Sequence, residues 1–348
     1  MVTSRKKLVA PLALLSAAAL LLAGCSSGGG GGGDGAGDGS GGETIELTFA
    51  NSYTDDHPHS RCGASLIAEK INGMDIGLDI QVYTNSTLGS DADRFISLMA
   101  GDIDIDMQGA SAISATYEPI GVLDSAYVFR GADQMFDYFD SEASESVKND
   151  LLEATGTRVI QPYFFGMRTF SANTPIRTPE DLKGLRMRFP DTPAYLANAE
   201  ALGANAVAVA FEEIFLGLQQ GIIDGQENPI PTVASMSLDE VQKYVSLSNH
   251  QTGFQFVLFN EETWQSMNEE QQTAVTEVIT EVRETNRECI DQDQQDIIDG
   301  WNETGAVEVI EDVDIAAFEE KAEKYFLDKY TGADLELYKS IRESAPAA

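Results

Sequence analysis

Histidine, cysteine and basic side chains are scarce in this chain of 348 residues, and each scarcity closes off a class of chemistry. The three histidines stand at His57, His59 and His250, in no spacing that would converge the three or four ligands a zinc site needs. The three cysteines, Cys25, Cys62 and Cys289, are too widely separated in sequence to suggest a metal site of their own. Outside the glycine-rich stretch near the N-terminus there is no G-x-S-x-G, P-loop or G-x-G-x-x-G to supply a nucleophile elbow or a phosphate cradle. No residue pattern points to catalysis, to a metal or to a cofactor. Lys and Arg number 22 against 57 Asp and Glu, a formal net charge of −35. Such a surface repels nucleic acid and anionic headgroups, so neither is an expected partner.

What is present begins with a targeting segment. Arg5, Lys6 and Lys7 precede an apolar run from Leu8 to Leu22, and Leu22-Ala23-Gly24-Cys25 follows. The run is short for a membrane span, which takes about 20 apolar residues, so residues 1–24 read as a lipoprotein signal peptide. Cys25 then becomes the acylated N-terminus, and residues 25–42, mostly glycine and serine, form a flexible tether. Removing the leader leaves 19 basic residues against 57 acidic ones, a formal charge of −38. That far field opposes any anionic ligand, so local cations must hold one. The acidity is equally compatible with a high-salt habitat and with an ordinary exported protein.

Beyond the tether the periodicities alternate. Ile45, Leu47 and Phe49 mark a strand ending at Asn51, a helix runs from Pro58 to about Asn72, and Ile76, Leu78, Ile80 and Val82 mark a second strand. Ser90 or Asp91 caps the next helix, which closes at Gly101. Asp102, Asp104 and Asp106 then share one face of a strand, which reads as a solvated face rather than a calcium loop because the closing glutamate is missing. Residues 133–156 read as helical, and strands follow at 158–162 and 254–258. Between these, Thr178 caps a short turn, and Leu185, Met187 and Phe189 alternate with Arg186 and Arg188. Helix, strand and helix follow from Thr192 to Gln220. The pattern is α/β, with ligands expected outside the carboxyl ends of strands, where Arg188 stands. A long helical pattern from Glu269 to Trp301 and a shorter one from Phe318 to Phe326 complete the chain.

Three phrases carry a resemblance: D-L-K-G-L-R-M-R-F-P, A-F-E-E-I-F-L-G-L-Q-Q-G-I-I-D-G-Q-E-N-P and E-V-Q-K-Y-V-S-L-S-N-H. In order and spacing they resemble the DctP family, the substrate-binding proteins of tripartite ATP-independent periplasmic (TRAP) transporters. The likeness runs from about Ile45 to the helix before Trp301. It implies a two-lobed, type II periplasmic-binding-protein-like fold in which each lobe is a mixed, mostly parallel sheet flanked by helices. A long helix would span both lobes. Residues 43–165 with 254–293 would make the first lobe, and 166–253 with 294–348 the second. It also implies no enzyme activity, a small organic acid as ligand, and the transporter's small and large membrane subunits as partners. A receptor for an ATP-driven transporter or a sensor is the next reading. A secreted hydrolase, which would need a nucleophile and base in reach, is the third.

The resemblance assigns residues. Arg188 matches the arginine that pairs the ligand carboxylate, for which a planar guanidinium supplies two parallel donors. Arg168, in Gly166-Met167-Arg168, matches a second ligand-facing arginine; Asn228 matches the amide of Q-E-N-P, and Phe211 an aromatic packed on the ligand. Asn51, at the end of the first strand, and Gln108 are expected to add polar contacts from the other lobe. Sialic-acid-binding relatives carry a glutamate near Gly109 that this chain lacks, which argues against sialic acid. Cys62 and Cys289, the two thiols left once Cys25 is acylated, are candidates for a disulfide outside the cytoplasm, the alternative being two buried thiols. Their helices lie in the same lobe of the family over much of their length.

Overall fold

A computed structural model describes residues 44–344. The expectations for the signal peptide, Cys25 and the tether lie outside these residues. The described chain builds one sheet of nine strands: β1 (Ile45–Ala50), β2 (Leu78–Tyr83), β3 (Ile105–Gln108), β4 (Thr157–Ala172), β5 (Arg186–Phe189), β6 (Asn205–Ala208), β7 (Gly225–Asn228), β8 (Tyr244–Asn260) and β9 (Glu308–Ile310). The order is β2-β1-β3-β8-β4-β7-β5-β6, with β9 also on β8. Parallel pairing joins β1 to β2 and β3 at one end and β5 to β6 and β7 at the other. Between them β4 and β8 pair antiparallel over most of their length and belong to both halves.

The two long strands are not uniform. Their register shifts between Val159 and Gln161, Phe164 and Gly166, and Arg168 and Phe170. Gly166 faces Gly253 across the middle shift, and both positions exclude a side chain. A Cβ on Gly253 would meet the Gly166 carbonyl at 2.8 Å, and Gly166 has a φ of +109° with Pro229 2.7 Å from its would-be Cβ. Bulges bend and twist a strand. The expected boundaries at 165/166 and 253/254 fall on this glycine pair.

Helices cover both faces of the sheet. The helix Glu269–Thr304 is unbroken over 36 residues and begins with a capping box between Asn268 and Gln271. Its first half buries Val275, Val278, Ile279 and Val282 against the β1–β3 end, while Trp301 packs near β8 and β9 at the other. A larger apolar cluster continues through both halves, from Phe95 and Phe139 past Phe254 to Phe189, Phe318 and Phe326.

Four local readings need correction. Asp106 is not on a solvated face: β3 lies between β1 and β8, and the carboxylate is wholly buried, 3.1 Å from Arg94 Nε. Burial pushes Asp106 up to about 6 against the pull of Arg94. Asp104 accepts from Thr48 N and Thr263 Oγ1, both at 2.8 Å, and only Asp102 is exposed. The helical stretch at 133–156 breaks at Ser141 into helices Ala132–Asp140 and Glu145–Thr155. β8 begins ten residues earlier than its apolar alternation. A last helix, Gly332–Glu343, follows the one read around Phe318–Phe326 and packs on the turn Glu118–Asp124, within the stretch given to the first lobe.

Cys62 sits in a wide helical turn, Ser60–Ala64, and Cys289 on the long helix; their sulfurs are joined, with the Cα atoms 6.5 Å apart. Arg61 Nη1 lies 3.1 Å from each sulfur, and Arg61 also pairs with Asp293. Closing a loop with a separation of 227 residues lowers the entropy of the unfolded chain, worth at most about 5 kcal/mol. Intact-mass measurement without reductant is expected to find no alkylatable thiol at these two positions. Two free thiols per mature chain would end the pairing.

Candidate functional site

Where the halves meet, a narrow cavity of about 70 Å³ is walled by Tyr53, Asp91, Ser111 and Gln255 from one side and Arg188, Tyr195, Phe211 and Asn228 from the other. Phe165 and Arg168, from the middle of β4, form its floor.

Arg188 enters through strand geometry. Met187 and Phe189 on β5 are fully buried in the core, so the alternate positions carry Arg186 and Arg188. Arg186 is exposed and pairs with Asp224, at 2.7 Å between Nη2 and Oδ1. Arg188 is only 3% exposed, and its Nε donates to the Val209 carbonyl at 2.8 Å. Among the described residues no carboxylate forms an ion pair with it, and its two terminal nitrogens meet no protein acceptor. Burial pushes this guanidinium down to about 10; Glu227 opposes the shift and Arg168 adds to it. It is a desolvated cation whose free donors face a cavity.

Arg168 is equally buried but matched. Its Nε and Nη2 reach the Glu227 carboxylate at 2.5 and 2.8 Å, and Nη2 also donates to the Glu227 carbonyl at 2.9 Å and to Asn228 Oδ1 at 3.0 Å. Its guanidinium lies 5.0 Å from the Tyr195 ring centroid and 5.7 Å from that of Phe165. Burial disfavours the charge of Arg168, but Glu227 together with Tyr195 and Asp124 outweighs this and raises its pKa. Glu227 is lowered in turn: Arg168 and His250 overcome the effect of burial. His250 stacks on Phe170 with centroids 4.4 Å apart, and burial holds its pKa down. A neutral ring satisfies both contacts by donating from Nε2 to Glu227, at 3.4 Å, and accepting the Ser248 hydroxyl at Nδ1, at 2.8 Å.

The remaining expected residues divide. Asn228 lines the cavity, with its amide held by Arg168 and by Gln226 Oε1 at 2.6 Å. Phe211 lines it too, half-buried, edge-on to Tyr53 at 6.1 Å. Asn51 and Gln108 are not among the lining residues. Asn51 Oδ1 accepts from Tyr53 N at 2.9 Å and Ser60 Oγ at 3.2 Å, so it holds the turn behind the Tyr53 ring. Gln108 Nε2 donates to the Asp91 carbonyl at 2.7 Å and to Asp106. Asp91, whose carbonyl Gln108 holds, lines the cavity at the first position after the Ser90 cap. Asp91 Oδ1 is fixed by Arg94 Nη2 at 3.0 Å and by Ser52.

Tyr53, Asp91, Phe165, Tyr195, Gln255 and the Glu227 behind Arg168 escaped the sequence reading. For Glu227 the signal was present, as the acid beside Asn228 in Q-E-N-P.

Comparison with known proteins places this architecture. Residues 62–331 match the family model described as bacterial extracellular solute-binding protein, family 7. The chain is 30% identical over 300 residues to the 2,3-diketo-L-gulonate-binding periplasmic protein of Escherichia coli, covering 84% of this chain and 90% of that one. It is 28% identical over 274 residues to the C4-dicarboxylate-binding periplasmic protein DctP of Rhodobacter capsulatus, covering 76% and 80% respectively. A TRAP periplasmic solute-binding protein of Roseobacter denitrificans, solved with bound L-galactonate, aligns with a TM-score of 0.79 at 26% identity over 86% of this chain and 99% of that one. The fold, the order of the phrases and a match over most of the chain agree: this protein belongs to family 7 of the bacterial extracellular solute-binding proteins, the DctP receptors of TRAP transporters, a family that binds rather than catalyses.

Proposed function

We propose that this receptor is a membrane-anchored lipoprotein that captures a sugar acid by its carboxylate and hands it to TRAP membrane subunits. Arg188 is the observation that carries the reading: a buried guanidinium with two unclaimed nitrogens requires an anion, and a carboxylate fits that fork. The far wall favours hydroxyls over a second carboxylate. Asp91 is an acidic side chain already held by Arg94 and Ser52, and Ser111 and Gln255 offer neutral hydrogen-bonding groups. The relatives that bind L-galactonate and 2,3-diketo-L-gulonate support a polyhydroxy monocarboxylate. Arg188 and Arg168 are 3% and 4% exposed, so a ligand enters only if the walls part. The halves hinge about the Gly166–Gly253 pair, and contacts from both sides favour the closed form.

A thermal-shift panel of aldonates, uronates, keto acids and C4-dicarboxylates tests this. A binder at about 100 times its dissociation constant adds roughly 2.7 kcal/mol. Stabilisation by succinate or malate with none by any sugar acid would overturn the choice of ligand. The anchor has its own test, since no helix among the described residues is long and apolar enough to cross a membrane. Cys25→Ser is expected to abolish globomycin-sensitive processing and detergent partitioning. Wild-type protein found wholly in the aqueous phase would refute the anchor.

A further inference from the structure

Asp124 lies just beneath the cavity wall and takes no part in the contacts described so far. It ends the turn Glu118–Asp124 and is 2% exposed. Its Oδ1 accepts from Gln251 Nε2 at 3.0 Å, and the same nitrogen reaches Tyr195 Oη at 3.1 Å. Its Oδ2 is buried with no hydrogen-bond partner among the described residues. Asn198 pins the segment, donating to the Asp124 carbonyl at 2.7 Å and accepting from Ala126 N at 2.8 Å. The turn packs on helices Ala110–Ser114 and Pro193–Leu202, which bring Ser111 and Tyr195 to the cavity.

Among the described residues no cation forms an ion pair with Asp124, so burial with one oxygen lacking a hydrogen-bond partner favours its neutral acid. Burial is the largest influence and pushes it up to about 7, against the pull of Arg168, the Ser111 backbone and Gln251; Glu227 pushes it further up. The other titratable neighbours are Tyr195 and Tyr330, both held protonated by burial, and His250, held neutral by burial. At the carboxylate-binding end Arg168 and Arg188 are cationic and Glu227 anionic. With Asp124 ionised these four groups sum to zero, and with Asp124 protonated they sum to one positive charge.

We propose that Asp124 sets the charge of the binding pocket: in neutral to alkaline medium, where the empty pocket leaves it partly or wholly ionised, it takes up to one proton from solvent as an organic monoanion enters and returns it as the anion leaves. The proposal rests on the reading of the cavity as a carboxylate site. Its consequence is that affinity weakens as the medium turns alkaline, because the anion must then oppose an ionised Asp124. Asp106 titrates nearby but answers to Arg94 and Asp91 at the other side of the cavity.

Two measurements test it. Carbon-13 NMR of aspartate-labelled protein, with the Asp124 signal assigned by its loss in Asp124→Asn, should show a midpoint near 7 that rises when sodium acetate replaces sodium chloride. Calorimetry with L-galactonate above that midpoint, in buffers of different ionisation enthalpy, should show net proton uptake by the wild type. Its dissociation constant should weaken by up to about tenfold per pH unit above neutrality, the limit for one linked proton. Asp124→Asn should bind with no uptake and no such slope. A midpoint near the ordinary ~4, or wild-type binding without proton uptake, overturns the proposal. If no sugar acid binds, the choice of ligand fails, while the acetate titration still decides: a midpoint unmoved by acetate refutes the role of Asp124.

Discussion

Arg188→Ala should abolish ligand binding and leave the fold intact. Removing one partner of a desolvated charge pair costs about 3–5 kcal/mol, two to four decades of affinity. The free protein should lose little beyond the Nε bond to the Val209 carbonyl, because among the described residues Arg188 has no ion-pair partner to forfeit and its desolvation opposes folding. Calorimetry with the ligand found by the panel therefore separates two results that a structural arginine would couple: lost affinity with an unchanged or raised melting temperature. Arg188→Lys should recover only part of the affinity, since an ammonium cannot reproduce two parallel donors. Near wild-type affinity in the alanine variant would remove Arg188 from the site.

The place of Arg188 at the cavity was legible in the sequence because two independent signals met there. Strand alternation put it opposite Met187 and Phe189, and the phrase ending in Phe-Pro matched a family position. Alternation alone could not separate it from Arg186, which takes Asp224 at the exposed start of β5. The misplaced residues share a cause. Asn51 and Gln108 sit at strand ends facing the right region, but each meets a nearby hydrogen-bonding partner that the linear sequence does not display. Asp106 looked solvated because its charge partner, Arg94, reads as an ordinary residue on the preceding helix.

The same reasoning explains the hidden half of β8. Apart from Leu247, Ser246 to Thr252 is polar and shows no apolar alternation, yet Ser248, His250, Gln251 and Thr252 are buried. Their hydrogen bonds run to Thr169, Glu227, Asp124 and Phe129, on segments distant in sequence. A polar strand is tolerated in a core when each group finds its partner, and those partners emerge only from the fold. The function-bearing network and the illegible strand are therefore the same residues.

Within that network Glu227→Gln should produce the largest loss of stability. The substitution leaves the Arg168 guanidinium, 4% exposed, without the one carboxylate paired with it among the described residues, and breaking such a buried pair costs about 3–5 kcal/mol. Urea unfolding should show the midpoint falling at unchanged slope. The pH dependence has a definite sign. Glu227 has a folded pKa below its ordinary value, so its stabilisation is present above the unfolded value of about 4.3 and fades as pH falls through the lower folded value. The variant should lack this part of the acid dependence. Replacing both partners, Arg168→Met with Glu227→Leu, should recover much of the stability while still weakening ligand binding, because the buried charge left behind by the single change is gone. A double variant as unstable as Glu227→Gln would mean that packing around Glu227, not the unmatched Arg168 charge, governs the loss.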